Sequence, residues 1–99
     1  MILKEIAVKK QDGIGSADAQ VIVRCAMRFE SEIFFDWRTR KVNAKSIMGV
    51  IAMGLNRGDE IMVVIRGEDE NEALSEIESL FAKNFVLMYF VTMNATGDK

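Results

Sequence analysis

The chain has no histidine and no proline, and one cysteine in 99 residues. Without histidine there can be no Ser-His or Cys-His catalytic dyad and no histidine-ligated metal. A single cysteine can form neither an internal disulfide nor a thiolate zinc site, which fits a reducing cytoplasm. Cys25 lies in an apolar helical stretch, where a cysteine is ordinarily a small buried hydrophobe rather than a nucleophile. Neither sign of charge is in excess. The net charge is −2 and the pI about 5.1, with basic residues scattered among acids, so direct nucleic-acid binding is not expected. Long hydrophobic runs are missing too. The longest, "FVLMYFV" from Phe85 to Val91, is too short to span a bilayer, and the N-terminus has no apolar leader. Neither membrane nor cofactor is expected.

What the chain does have is a hydrophobic content of 49%. At this length that supports one domain with a single core, which buries roughly two-thirds of the surface its unfolded chain would expose. Ile2 to Lys10 reads as a strand with Ile2, Ile6 and Val8 on one face. After the loop "DGIGS", Ser16 is the expected N-cap of a helix from Ala17 to about Phe29. Ala19, Ile22, Val23, Ala26 and Phe29 form its apolar stripe. Glu32 to Trp37 alternates, with Ile33, Phe35 and Trp37 inward, and "KVNA" is its hairpin partner across the turn "RTR".

A short helix follows Ser46, runs to about Met53 and stops at Gly54. Glu60 to Arg66 is a further strand, with Ile61, Val63 and Ile65 inward. Asp69 followed by Glu72 resembles a capping box opening a helix to about Lys83. Its stripe is Ala73, Leu74, Ile77, Leu80 and Phe81. The order is strand, helix, strand, strand, helix, strand, helix, then an apolar tail.

Arg40 to Leu74, "RKVNAKSIMGVIAMGLNRGDEIMVVIRGEDENEAL", resembles the second half of HPr, the small phosphocarrier of the bacterial sugar phosphotransferase system. "KSIMG" and "GEDENEAL" at this separation are specific, and the likeness extends more weakly to about Phe81. The resemblance implies an α/β (α+β) two-layer open-faced sandwich, βαββαβα, with antiparallel sheet order 1-4-2-3 and three helices on one face. It also implies two phosphorylation sites. One is a histidine opening the first helix, inside a motif close to "GLHARPAA". That motif falls on "GIGSADAQ", Gly13 to Gln20, so the histidine position is Gly15, the arginine position Ala17 and the proline position Asp18. Glycine has no nucleophile, and Ala17 cannot grip phosphate as a guanidinium does. Asp18 puts a carboxylate in the first turn, where it would repel a phosphoryl group. No catalytic residue is expected, and phosphohistidine transfer is lost.

The second family site, the regulatory serine, is retained as Ser46. By resemblance its partners would be the HPr kinase/phosphorylase and a catabolite-control transcription factor. The catabolite-repression HPr also lacks the histidine and keeps the serine. Ser46 has a plainer reading as an N-cap, and the two are compatible, with Lys45 expected beside an added phosphate. Ile47, Met48 and Ile51 read either as sheet-packing residues or as a docking patch for partner proteins, the latter favoured for Ile47 and Met48. Ser16 as a substitute acceptor, and Asp69, Glu70 and Glu72 as acid–base carboxylates, have simpler readings as helix-start residues.

Two function classes stay open: a non-catalytic regulatory adaptor controlled at Ser46, and a structural or assembly module. Residues 1–84 are expected to form the HPr-like part. Residues 85–99 would be a C-terminal extension of the same domain, adding an edge strand to give the order 5-1-4-2-3. Strand alternation puts Leu3, Phe34, Met62 and Val64 on the sheet face away from the helices. A homodimer is therefore expected, with Phe34, Met62, Val64 and Tyr89 at its interface; the alternative is a tail folded across its own sheet in a monomer.

Overall fold

A computed structural model describes residues 1–85 of the chain. The strands are β1 (Ile2–Ala7), β2 (Glu32–Trp37), β3 (Arg40–Asn43) and β4 (Glu60–Arg66). The helices are α1 (Ser16–Met27), α2 (Ile47–Met53) and α3 (Glu70–Ala82). The sheet is antiparallel in the order β1-β4-β2-β3, as the resemblance implies. Ile65 lies opposite both Ile2 and Ile33, and Val63 lies opposite Phe35. The period-two alternation thereby sends Ile33, Phe35, Ile61, Val63 and Ile65 into the core, all fully buried. From the helices come Ala19, Ile22, Ala26, Val50, Met53, Ala73, Ile77, Leu80 and Phe81. Each large apolar side chain buried here stabilises the fold by roughly 1.5–3 kcal/mol before entropy is counted.

β1 is shorter than the alternation suggests. At Val8 the chain leaves the regular ladder, its N–H donating to Asp59 and its carbonyl accepting from Gly58, both at 2.8 Å. α1 closes two residues early. Phe29 turns its N–H to the Ala26 carbonyl at 3.2 Å, a tightened last turn that leaves its half-buried ring against the core.

Ser16 is not the cap of α1. Gly15 holds that place, because the Asp18 carboxylate reaches back to its N–H at 3.1 Å. Asp69 does not cap α3 with its side chain either. It turns across to the α1–β2 loop, accepting from the Glu30 N–H at 2.9 Å, the Ser31 N–H at 3.0 Å and the Ser31 hydroxyl. Glu70, not Glu72, closes the turn before α3 by accepting from the Gly67 N–H at 3.1 Å. Gly67 is required here, since φ is 154° and a Cβ would lie 2.6 Å from Ser31 Cα.

Phe85, expected to begin the extension, belongs to the packed core. Its N–H donates to the Leu80 carbonyl at 3.0 Å. Its ring meets Phe81 edge-on at 5.3 Å, and Phe81 in turn meets Phe35 at 6.1 Å. The expected edge strand over the rest of the tail, and the interface role of Tyr89, lie outside the described residues.

Candidate functional site

Two surface positions carry the sequence-level expectations: the N-terminus of α1 and the residue before α2. The two helices pack on one another and on the same face of the sheet. At the first position, Gly15, Ser16 and Ala17 are exposed. A side chain at residue 15 would meet nothing within 4 Å, so the lack of a nucleophile there is chemical and not steric. The anion at this helix end belongs to the chain itself. Asp18 is only 4% exposed, and besides the Gly15 N–H it has Lys10 Nζ at 3.4 Å. A carboxylate in the first turn satisfies one free N–H and the positive end of the helix dipole together.

At the second position Ser46 is exposed, in extended backbone, and its Oγ accepts from the Gly49 N–H at 3.2 Å. The N-cap reading is therefore correct as far as it goes. Because Oγ is used as an acceptor, the hydroxyl proton and the outer side of the oxygen remain available. Asn43 fixes the backbone around it: the Lys45 N–H donates to its Oδ1 at 2.8 Å, and the Ser46 N–H to its carbonyl at 2.9 Å. Gly49 in "KSIMG" has a packing reason, since a Cβ would lie 2.9 Å from Val42 Cγ1 on β3.

In the unmodified protein Lys45 is engaged elsewhere. Its ammonium is turned to the Phe29 carbonyl just beyond α1, at 2.7 Å, rather than kept beside Ser46. At the other end of α2, Arg40 donates to the Ala52 carbonyl at 2.9 Å. Nothing in the sequence pattern signals either cation-to-carbonyl contact, because both join residues far apart in the chain. The Asp18 cap had a faint signal, an acid three places after a residue able to take N-cap geometry.

Ile47, Met48 and Ile51 are 36%, 75% and 40% exposed, while Val50 and Met53 of the same helix are buried. The patch thus faces away from the sheet. On the opposite face of the molecule, Leu3 is exposed and Phe34, Met62 and Val64 are half-buried. Lys41 Nζ stands 4.8 Å from the Phe34 ring centre. Leu3, Val64 and Phe34 form one cross-strand row.

Cys25 is buried on α1, and desolvation pushes its thiol up to about 11, against a smaller opposing pull from Arg28. That is the inert cysteine the sequence suggests. Among the described residues no group of acidic, histidine or cysteine side chains could hold a metal. No helix among them is long and apolar enough to cross a membrane.

A family model for the HPr component of the phosphotransferase system, described by its phosphorylation site, matches residues 2–83. The phosphocarrier protein HPr of Treponema pallidum is 45% identical over 85 residues, covering 86% of this chain and 97% of its own. The crystal structure of an HPr from Thermoanaerobacter tengcongensis superposes with a TM-score of 0.82 at 33% identity, covering 86% of this chain and 96% of that one. Crh of Bacillus subtilis, a catabolite-repression protein whose crystal structure is a domain-swapped dimer, superposes with a TM-score of 0.64 at 35% identity. The match covers 87% of this chain and 98% of that one.

Proposed function

This chain belongs to the HPr family, and from that premise we propose that it is a non-catalytic regulatory adaptor of the phosphotransferase system, switched by phosphorylation of Ser46. The observation that carries the reading is the contrast between its two phosphate positions. Residue 15 is a glycine at a helix end already occupied by the Asp18 carboxylate, whereas Ser46 is an exposed hydroxyl in a rigid turn. The likeness to Crh supports the same assignment. In this reading the protein acts in the cytoplasm. Its modifying partner is an HPr kinase/phosphorylase, and its target is a transcriptional regulator that docks on Ile47 and Met48, with Ile51 at the border. A thioether and branched aliphatic side chains suit such a surface because they repack against a partner at little cost.

The test is incubation of the full chain with ATP and an HPr kinase, read by intact mass. Addition of one phosphate, lost in Ser46→Ala, is expected. Transfer should be slower than to a family member with an arginine at the position of Ala17. No added mass, or mass persisting in Ser46→Ala, sinks the reading.

A second reading, an assembly module on the HPr fold, draws on the open sheet face. The apolar row Leu3, Val64 and Phe34, with Met62 beside it, would be the self-association surface of a homodimer. The dimeric state of Crh favours self-association.

A further inference from the structure

We propose that Lys45 is the switched contact of the Ser46 site: a phosphate on Ser46 takes the Lys45 ammonium from the Phe29 carbonyl. The modification is thereby read at the end of α1. The inference rests on the reading of Ser46 as a phosphoacceptor and adds the element that responds.

Four observations carry it. Lys45 Nζ donates to the Phe29 carbonyl at 2.7 Å, and none of the ion pairs among the described residues involves Lys45. Its charge is thus matched to a neutral acceptor. The backbone of residues 45 and 46 is held by Asn43 through two hydrogen bonds, so an exchange of partners needs only rotation of the lysine side chain. That side chain spans about 6 Å, and adjacent Cα atoms lie about 3.8 Å apart, so phosphate oxygens on Ser46 are within reach. Finally, the acceptor now engaged, the Phe29 carbonyl, lies two residues beyond α1, close to the negative end of its dipole.

The direction of exchange follows from charge. An ammonium–phosphate hydrogen bond has ionised partners on both sides and is roughly twice as strong as one to a neutral group. The released Phe29 carbonyl, in a part-buried bond in the unmodified protein, passes to water as the loop loosens. Two tethers hold the α1–β2 loop in the unmodified protein: Lys45 on Phe29, and Asp69 on Glu30 and Ser31. Phosphorylation removes the first and leaves the second. The half-buried Phe29 ring, with the Arg28 guanidinium 5.4 Å from its centre, keeps the segment near its place. The expected change is a local loosening of the loop, not unfolding.

The experiment uses full-length protein with phosphoserine encoded at position 46, so no kinase is involved. The phosphorus resonance is titrated by NMR, and the Phe29 carbonyl carbon shift is recorded with and without the phosphate. Free phosphoserine has a second pKa of about 6. With Lys45 in contact it should fall by at least about 0.3 unit, return to about 6 in Lys45→Met and stay depressed in Lys45→Arg. The Phe29 carbonyl shift of the phosphoprotein should move toward that of unmodified Lys45→Met. A Phe29 shift that ignores the phosphate overturns the proposal and needs no variant to fold. A phosphate pKa independent of Lys45 overturns it too. Failure of a kinase to modify Ser46 would count against the regulatory reading and leave this exchange standing.

Discussion

Asp18 and Asp69 are both helix-start acids in the sequence, yet the structure uses them differently. Asp18 makes the N-terminus of α1 self-sufficient. Gly15→His would place an imidazole in open space, but beside a fixed negative charge. For charges about 6 Å apart at an effective dielectric near 20, repulsion of an incoming phosphoryl group is on the order of 2–3 kcal/mol per unit charge, less what the Lys10 ammonium paired with Asp18 offsets. Gly15→His alone should therefore accept acid-labile phosphate from the general phosphotransferase enzyme poorly. Gly15→His with Asp18→Asn, which keeps an acceptor for the Gly15 N–H, should accept it at least tenfold faster; equal rates would refute the electrostatic account. Asp69 is held below its ordinary value of 3.8, first by the Ser31 hydroxyl and then by the Glu30 N–H, against some desolvation. A depressed carboxylate contributes stability that is fully present above its unfolded value and is lost as pH falls through the folded one. Melting temperature should thus decline below about pH 4 in the native protein. Asp69→Asn should melt lower at neutral pH and show a shallower acid limb; parallel curves would be the contrary result. The role of Asp69 cannot be read from an acid near a helix start, because its partner Ser31 is far away in the chain.

Elements were far more legible than contacts. Strand and helix identity followed from period-two and period-3.6 patterns that tertiary packing reinforces, as with Ile61, Val63 and Ile65 on β4. The ends were less so, because they depend on long-range bonds, such as that from Val8 to Asp59. At the candidate site, the exposure of Ser46 and of the α2 patch followed from the family motif. The engagement of Lys45 with Phe29 did not, since it joins the loop after one helix to the approach to another across 16 residues of chain. The end of α3 is the sharpest case. Asn84 and Phe85 both have positive φ, and Phe85 looks like the start of a tail, yet it is 1% exposed. Phe85→Ala should lower the free energy of unfolding by about 3–5 kcal/mol, read from urea titration. A truncation after Phe85 should retain the ring stack that a truncation after Asn84 abolishes. A loss below 1 kcal/mol would mean that the ring contributes little to the core.

At the scale of the molecule, the helices cover one face of the sheet, and Leu3, Phe34, Met62 and Val64 mark the other. If this face is the self-association surface, light scattering at tens of micromolar should give the mass of a dimer. Val64→Glu should reduce it to a monomer without changing the fold. A monomeric native chain, or a dimer unaffected by Val64→Glu, would exclude that face. The Asp18 carboxylate has a consequence at the same scale. A relay protein has a bit that is written and erased at its first helix: charged while it carries a phosphoryl group, blank afterwards. Here Gly15 stands at that place, with the Asp18 carboxylate accepting from its N–H. In the regulatory reading, a cell addresses this protein through one channel fewer than a relay, and what it reports does not follow the phosphoryl traffic of such a relay.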